Sequence, residues 1–293
     1  MSVFILLGIL ALVYALGLYA VIWVSIHPLR IPMFHSPGHM GVPQETVSFE
    51  SSDGIRLSGW WCACPESRGV VVLSHGYMMN RAECAATAHW FYQQGFSSLL
   101  YDFRAFGRSG GNTCSLGWKE RLDVLAAVDF ALEKSGEEKA ILWGSSMGAA
   151  ASALAAGEAP EKVSAVILDS AYSNVMQAME GWWKFVLGKA SWILHPTIWL
   201  APLILGKDSV QSDVQAALKR YGSRPVLILH GTADILAVSA QAERNHEASP
   251  QSTLVWFEGA QHSEARWIDP AKYEQSMMDF LDQHGLLRER NPS

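Results

Sequence analysis

Lys139-Ala140-Ile141-Leu142-Trp143-Gly144-Ser145-Ser146-Met147-Gly148-Ala149-Ala150 is a short apolar run that breaks at a glycine-flanked serine pair and resumes as an alanine-rich one. Ala140 to Trp143 reads as a buried strand, and the residues after the break suit a helix. Between them stands Gly144-Ser145-Ser146-Met147-Gly148, the Gly-x-Ser-x-Gly pattern of a nucleophile elbow. Such a turn forces strained backbone angles on its central residue, so the positions two away on either side must lack bulk. Gly144 and Gly148 meet that demand and leave the Ser146 hydroxyl standing clear of the sheet. Five residues of this kind also arise by chance, so the pattern takes its meaning from its partners.

Outward from the elbow the chain alternates. Thr46 to Glu50 and Ile55 to Cys64, joined by Ser51-Ser52-Asp53-Gly54, read as a hairpin. Gly69 to Ser74 is a β-branched run of the sort buried in parallel sheets. Asn80-Arg81-Ala82-Glu83 has capping-box spacing at the head of a helix that stops at Gly95. Phe96 to Tyr101 is a strand and Leu122 to Glu133 a helix; Val163 to Leu168, Pro225 to Leu229 and Thr253 to Phe257 are further strands. The expectation is an α/β fold: a mostly parallel eight-stranded sheet covered by helices on both faces.

The 293 residues suffice for one α/β domain, expected over 45–290 after a proline-rich linker at 28–44. A net charge of −6 and the lack of any Lys/Arg run argue against a nucleic-acid partner. No metal-ligand spacing, phosphate loop or cofactor motif stands out. The four cysteines match no zinc or haem pattern; plain thiols are expected, with a disulfide between distant pairs left open.

Val3 to Val24 is apolar without a break except for Gly8 and Gly17. As a helix it would measure about 33 Å, enough for a hydrocarbon core of about 30 Å. It lacks a basic n-region and a clear small-x-small cleavage site, so residues 1–27 read as a retained transmembrane anchor rather than a signal peptide. Arg30 is the basic residue nearest the end of the span, and it leaves the orientation poorly determined. The segment at 171–223 carries no strand but holds Trp182, Trp183, Phe185, Trp192 and Trp199. It is expected to form a helical lid whose Trp182, Trp183 and Trp192 roof a substrate pocket; two plain packing helices are the alternative.

A serine hydroxyl needs a base to take its proton, and the base needs an acid to hold its tautomer. Asp234 follows the strand ending at Leu229, and His262 follows the strand ending at Phe257. Ligand loops of open α/β sheets gather at these carboxyl ends. The order Ser146, Asp234, His262 suits that architecture. Upstream, His75-Gly76-Tyr77 follows the run ending at Ser74 and can turn the Tyr77 amide toward an oxyanion, with the Met147 amide as its partner. Ser145 lies off the elbow's centre; Asp169 also ends a strand and is a second candidate acid.

From Gln44 to His284 the chain resembles the α/β-hydrolase superfamily, most closely its small-lid branch of serine-aminopeptidase-like and monoacylglycerol-lipase-like esterases. His75-Gly76-Tyr77, Asp102-Phe103-Arg104-Ala105-Phe106-Gly107-Arg108-Ser109, the elbow, and His230-Gly231 with Asp234 and His262 carry the resemblance. It implies Ser146 as nucleophile, His262 as base, Asp234 as acid and the Tyr77 and Met147 amides as oxyanion hole. Ala105 stands where the family's loop usually has glycine.

The leading expectation is a membrane-anchored hydrolase of hydrophobic small-molecule esters. Amide cleavage of the aminopeptidase type, with Glu180 as an anchor for a free amine, is the alternative within enzymes. A non-catalytic binding protein that keeps the fold is the alternative outside them.

Overall fold

All eight expected runs become strands of a single sheet. The structure, a computed structural model, describes residues 2–206 and 213–287. Met1 of the expected anchor, 207–212 of the expected lid and 288–290 of the expected domain lie outside the described residues. The strands are β1 (Glu45–Glu50), β2 (Arg56–Cys62), β3 (Val70–Ser74), β4 (Ser97–Asp102), β5 (Ala140–Ser145), β6 (Val163–Asp169), β7 (Val226–Gly231) and β8 (Thr253–Phe257). Their spatial order is β1-β2-β4-β3-β5-β6-β7-β8. The β1–β2 hairpin and the β2–β4 pair are antiparallel; every later pair is parallel.

The helices are α1 (Ser2–Ile26), α2 (Ala85–Gln93), α3 (Glu120–Ser135), α4 (Met147–Glu158), α5 (Val175–Leu187), α6 (His195–Leu205), α7 (Val214–Tyr221), α8 (Ser239–Ala248), α9 (Ala265–Ile268) and α10 (Pro270–Gln283). Strand alternation splits the core in two. Val70 and Val72 of β3 join Val124 and Ala127 of α3 and Ala149 of α4 on one face. Val71 and Leu73 join Phe91 of α2 and Phe280 of α10 on the other. Because β3 and β5 to β8 run parallel, their carboxyl ends share one edge of the sheet, and the loops carrying His75, Ser146, Asp169, Asp234 and His262 meet there.

The expected capping box does not form. The Asn80 side chain accepts the Ala82 N–H at 3.0 Å, opening a 3-10 turn over Arg81–Cys84 before α2. The Glu83 carboxylate turns away instead, accepting the Gly76 N–H at 2.7 Å and an Arg266 N–H at 2.8 Å. Hydrogen bonds to a charged acceptor or donor are the stronger ones, and the Arg266 guanidinium together with the Gly76 amide takes that carboxylate from the helix start. All four cysteines are thiols, and burial pushes the Cys62 thiol up to about 12.

α1 is exposed along most of its length, but Leu18, Ile22 and Ile26 are buried against the rest of the chain. Its last carbonyl, of Ile26, accepts the Cys114 N–H at 2.8 Å. Arg30, just beyond, donates to the carbonyls of Phe106, Gly107, Ser109 and Gly111 at 2.7 to 2.9 Å. Those four carbonyls belong to the loop after β4. In that loop Ala105 takes φ +65°, so an alanine sits in the left-handed region where the family's usual glycine carries no strain. Between β6 and β7 lie α5, a 3-10 segment at Gly188–Leu194, α6 and α7.

Candidate active site

The elbow has the geometry its glycines imply. Ser146 takes φ +53° and ψ −114° between β5 and α4. A Cβ on Gly144 would meet the Gly148 carbonyl carbon at 2.4 Å, and one on Gly148 would meet the Ser74 oxygen at 2.2 Å. Only two residues without side chains let α4 start this close to β3 and β5. The Ser146 N–H donates to the Asp169 carbonyl at 2.8 Å, which pins the turn to β6.

Ser146 and His262 meet at 2.7 Å between Oγ and Nε2, and His262 Nδ1 lies 2.8 Å from Asp234 Oδ2. A carboxylate only accepts, so Nδ1 carries the proton and Nε2 is left to accept from the serine hydroxyl. The other Asp234 oxygen accepts the N–H groups of Leu236 and Ala237, each at 2.8 Å. Thus both carboxylate oxygens have assigned partners, and the acid is held by its own loop.

The competing candidates fall elsewhere. Ser145 Oγ lies 3.1 Å from the Ser263 hydroxyl. Asp169 accepts from the Tyr273 hydroxyl at 2.8 Å and the Ser170 hydroxyl at 3.0 Å. Burial, with Arg266 and these hydrogen bonds opposing it, holds the Asp169 carboxyl above the usual range. Asp102 accepts the Arg81 and Arg108 N–H groups at 2.9 and 2.7 Å and so braces its own turn.

The loop after β3 approaches the serine: a Cβ on Gly76 would stand 3.7 Å from Ser146 Cβ. Met147 opens α4, so its N–H has no acceptor within the helix. Two buried groups hold the Gly76–Tyr77 turn. Glu83 accepts the Gly76 amide, as above. His75 Nε2 accepts the Phe103 N–H at 3.0 Å, which puts the ring proton on Nδ1, facing the Gly76 carbonyl at 2.7 Å. Burial holds His75 below the ordinary histidine value, against the pull of Asp102 and Glu83. His230 is likewise lowered, chiefly by burial, and lies 2.5 Å from the Ala237 carbonyl.

Ser146 and His262 face a cavity of about 130 Å³. Its wall is Met179, Trp182 and Trp183 from α5, Tyr77 and Tyr172 from the sheet edge, and Ile22, Ser25 and Ile26 from α1. Two of the three tryptophans expected in the roof are there. Trp192 is not: after α5 the chain turns at Gly188, φ +54°, and Trp192 stands on the outside, 67% exposed. The run of aromatic residues continued past the turn, so the sequence could not tell inner face from outer. Glu180 does not reach the cavity wall either; its carboxylate pairs with Lys184 at 2.7 Å.

Three contributors went unread in the sequence. Glu83 looked like a cap. Arg266, which pairs with it, carried no motif. The α1 residues were hidden inside an all-apolar run; the sole trace is that Leu18, Ile22 and Ile26 are spaced by four.

Comparison with known proteins follows the same lines. The family model described as serine aminopeptidase, S33, matches residues 65–223. An Arabidopsis thaliana protein, the alpha/beta hydrolase domain-containing protein WAV2, is 24% identical, over 85% of this chain and 82% of its own length. A Saccharomyces cerevisiae membrane protein, YNL320W, is 23% identical over 86% of this chain and 84% of its own. The esterase Pf2001 of Pyrococcus furiosus superposes with a TM-score of 0.73 at 22% identity, over 89% of this chain and 98% of that one. At that identity the structural likeness speaks to the fold, which is that of the α/β hydrolases.

Proposed function

The chain belongs to the serine aminopeptidase S33 family of α/β hydrolases, and on that footing we propose that it is a membrane-anchored serine hydrolase of apolar carboxylic esters. The observation that carries the reading is the pair of short hydrogen bonds, 2.7 and 2.8 Å, linking Ser146, His262 and Asp234 at the wall of an apolar cavity. In this reading His262 Nε2 takes the Ser146 proton as Oγ bonds to the ester carbonyl carbon. The carbonyl oxygen becomes an oxyanion held by the Tyr77 and Met147 amides. The C–O bond to the alcohol then breaks, and the alcohol leaves with the proton from His262. Water repeats the sequence on the acyl-serine: His262 takes a water proton, the carboxylic acid departs and Ser146 recovers its hydrogen.

The cavity supports an apolar acyl or aryl group. It is close in size to the ~150 Å³ cavity that accepts a benzene ring, so it suits an apolar group of about six carbons. An amide-cleaving aminopeptidase would need a carboxylate near the substrate's free amine. Among the described residues that line the cavity there is none, and Glu180 faces elsewhere. The exposed apolar α1 supports the anchor, as does the likeness to a yeast membrane protein.

A fluorophosphonate probe on the folded protein tests the mechanism. Labelling at Ser146, lost in Ser146→Ala, is expected, with short p-nitrophenyl esters turned over far faster than aminoacyl anilides. Folded protein that leaves Ser146 unlabelled would overturn the mechanism, and preferred cleavage of anilides would overturn the substrate class.

A further inference from the structure

The end of α1 is part of the candidate site. Ile22, Ser25 and Ile26 form one side of the Ser146 cavity, opposite Met179, Trp182 and Trp183 of α5. Tyr77, from the loop after β3, bridges them: its hydroxyl donates to the Ser25 carbonyl at 2.7 Å, and its ring packs edge-on against Trp182 at 5.9 Å between centroids. A helix that served only as a tether would have no reason to complete the wall of the pocket.

The contact continues up the helix. The Tyr14 hydroxyl donates to the Ile193 carbonyl at 2.5 Å, at the turn before α6. Tyr14 lies about 18 Å along the helix axis from Ile26. If α1 crosses a hydrocarbon core of about 30 Å, the segment at 188–205 lies beside it well inside that core.

The outer face of that segment suits such a place. Trp199 is 83% exposed and Leu203 79%, with Phe185, Val186 and Trp192 also more than half exposed. From Phe185 to Gly206 the sole Lys, Arg, Asp or Glu is Lys189. A lysine can extend its ammonium toward headgroups while its stem stays in an apolar layer. In water this surface would be a liability; against lipid it is ordinary. Trp183, by contrast, turns inward and donates to the Thr197 hydroxyl at 3.0 Å, joining α5 to α6 from within.

We propose that α1 and the 188–205 segment together form a leaflet-embedded platform, and that an ester reaches Ser146 sideways from the lipid leaflet, past Ile22 and Ile26. The substrate is then an amphiphilic ester resident in the bilayer, its acyl chain never crossing water. This deepens the serine-hydrolase reading and rests on it for the chemistry, but the membrane contact can be judged alone.

The full chain is reconstituted in phosphatidylcholine vesicles, plain or brominated on the acyl chains. The emission lost between the wild type and Trp199→Phe isolates Trp199. Acyl-chain bromine is expected to quench that difference by half or more. Equal brightness in both vesicles overturns the platform, as does a Trp199 shielded because a second copy covers it, seen as cross-linked dimers.

A second variant tests delivery. Leu203→Glu is expected to lower kcat/KM on a vesicle-borne long-chain ester at least tenfold, with soluble p-nitrophenyl acetate turnover unchanged. A parallel loss on both substrates, or no loss on either, overturns lateral entry. Should the wild type fail to cleave even the soluble ester, the hydrolase reading falls while the quenching result still stands or fails by itself.

Discussion

Asp234→Asn separates the role of the acid from its place in the fold. In the structure one carboxylate oxygen accepts two backbone amides, of Leu236 and Ala237, both at 2.8 Å. The other accepts His262 Nδ1–H at 2.8 Å. An asparagine has one oxygen and one NH2 group to place in these two positions. Turning NH2 toward Leu236 and Ala237 would set donors against two donors, so the oxygen must stay there. The NH2 group then faces His262 Nδ1, which can serve only as an acceptor. The ring proton moves to Nε2, and the imidazole can no longer take a proton from Ser146. The same tautomer inversion in a Ser-His-Asp enzyme lowers kcat about 10⁴-fold, or about 5 kcal/mol in the barrier. Stability should change little, because both backbone amides keep their acceptor. Steady-state hydrolysis of a p-nitrophenyl ester beside a thermal melt measures both. A variant that melts like the wild type and keeps kcat within tenfold would refute the reasoning. Asp169→Asn serves as the control: its carboxyl is already shifted toward the protonated form and bonds Tyr273 and Ser170 rather than His262, so turnover should hold within about threefold.

Two further predictions come from the loops around the serine. Burial lowers His75 from 6.5, with Asp102 and Glu83 opposing and Arg81 assisting, so the folded state keeps it neutral. The stability due to that neutral ring is complete above about pH 6.5 and is lost as pH falls below it, by up to about 1.4 kcal/mol per pH unit. Urea midpoints at pH 7.5, 6.0 and 5.0 should therefore fall more steeply for the wild type than for His75→Gln, and equal slopes would contradict this; the comparison cancels the titrations the two proteins share. In α5, a Cβ on Gly181 would stand 2.0 Å from the Leu236 carbonyl oxygen. Gly181→Ala should force α5 away from the Asp234 loop, cost about 1–3 kcal/mol and slow fluorophosphonate labelling by about ten- to hundredfold. Gly8→Ala, with nothing within 4 Å, should leave both unchanged.

Residues were legible where a local pattern and a tertiary demand coincide. β3 and β5 are apolar on both faces because both are covered, so their composition alone marks them as central parallel strands. Gly144 and Gly148 are small because α4 must pass within contact of β3, and that demand is written at a spacing that can be recognised. Asp234 and His262 follow strands at the edge where loops converge, so once the strand runs were set their proximity to Ser146 followed from topology. Glu83 failed because two demands competed for one side chain. Its spacing from Asn80 satisfies the helix-start rule, yet Gly76 and Arg266, seven residues before and far beyond it, hold the carboxylate at 2.7 and 2.8 Å. Nothing local encodes a partner at that distance.

α1 failed for the opposite reason: its sequence satisfies every position at once. Periodicity reveals a buried stripe only when the other faces are polar. In a helix that is apolar all round, Leu18, Ile22 and Ile26 look like any other residues of the run, although the fold buries just these. The same holds for Trp183 and Trp192, one inside the cavity wall and one outside it, in a segment where hydrophobicity does not change across the turn at Gly188. Where both solvents a residue can meet are apolar, protein interior or lipid, composition carries no information about which one it meets. Geometry supplies it, through the few polar bonds such surfaces still make: Tyr14 to Ile193, Tyr77 to Ser25 and Trp183 to Thr197. Each is a polar group on an otherwise apolar surface, and each starts from an element that lines the cavity. For this chain the hydroxyls and the indole N–H of the apolar segments are therefore the better guide to how α1 and the helices between β6 and β7 are arranged around Ser146.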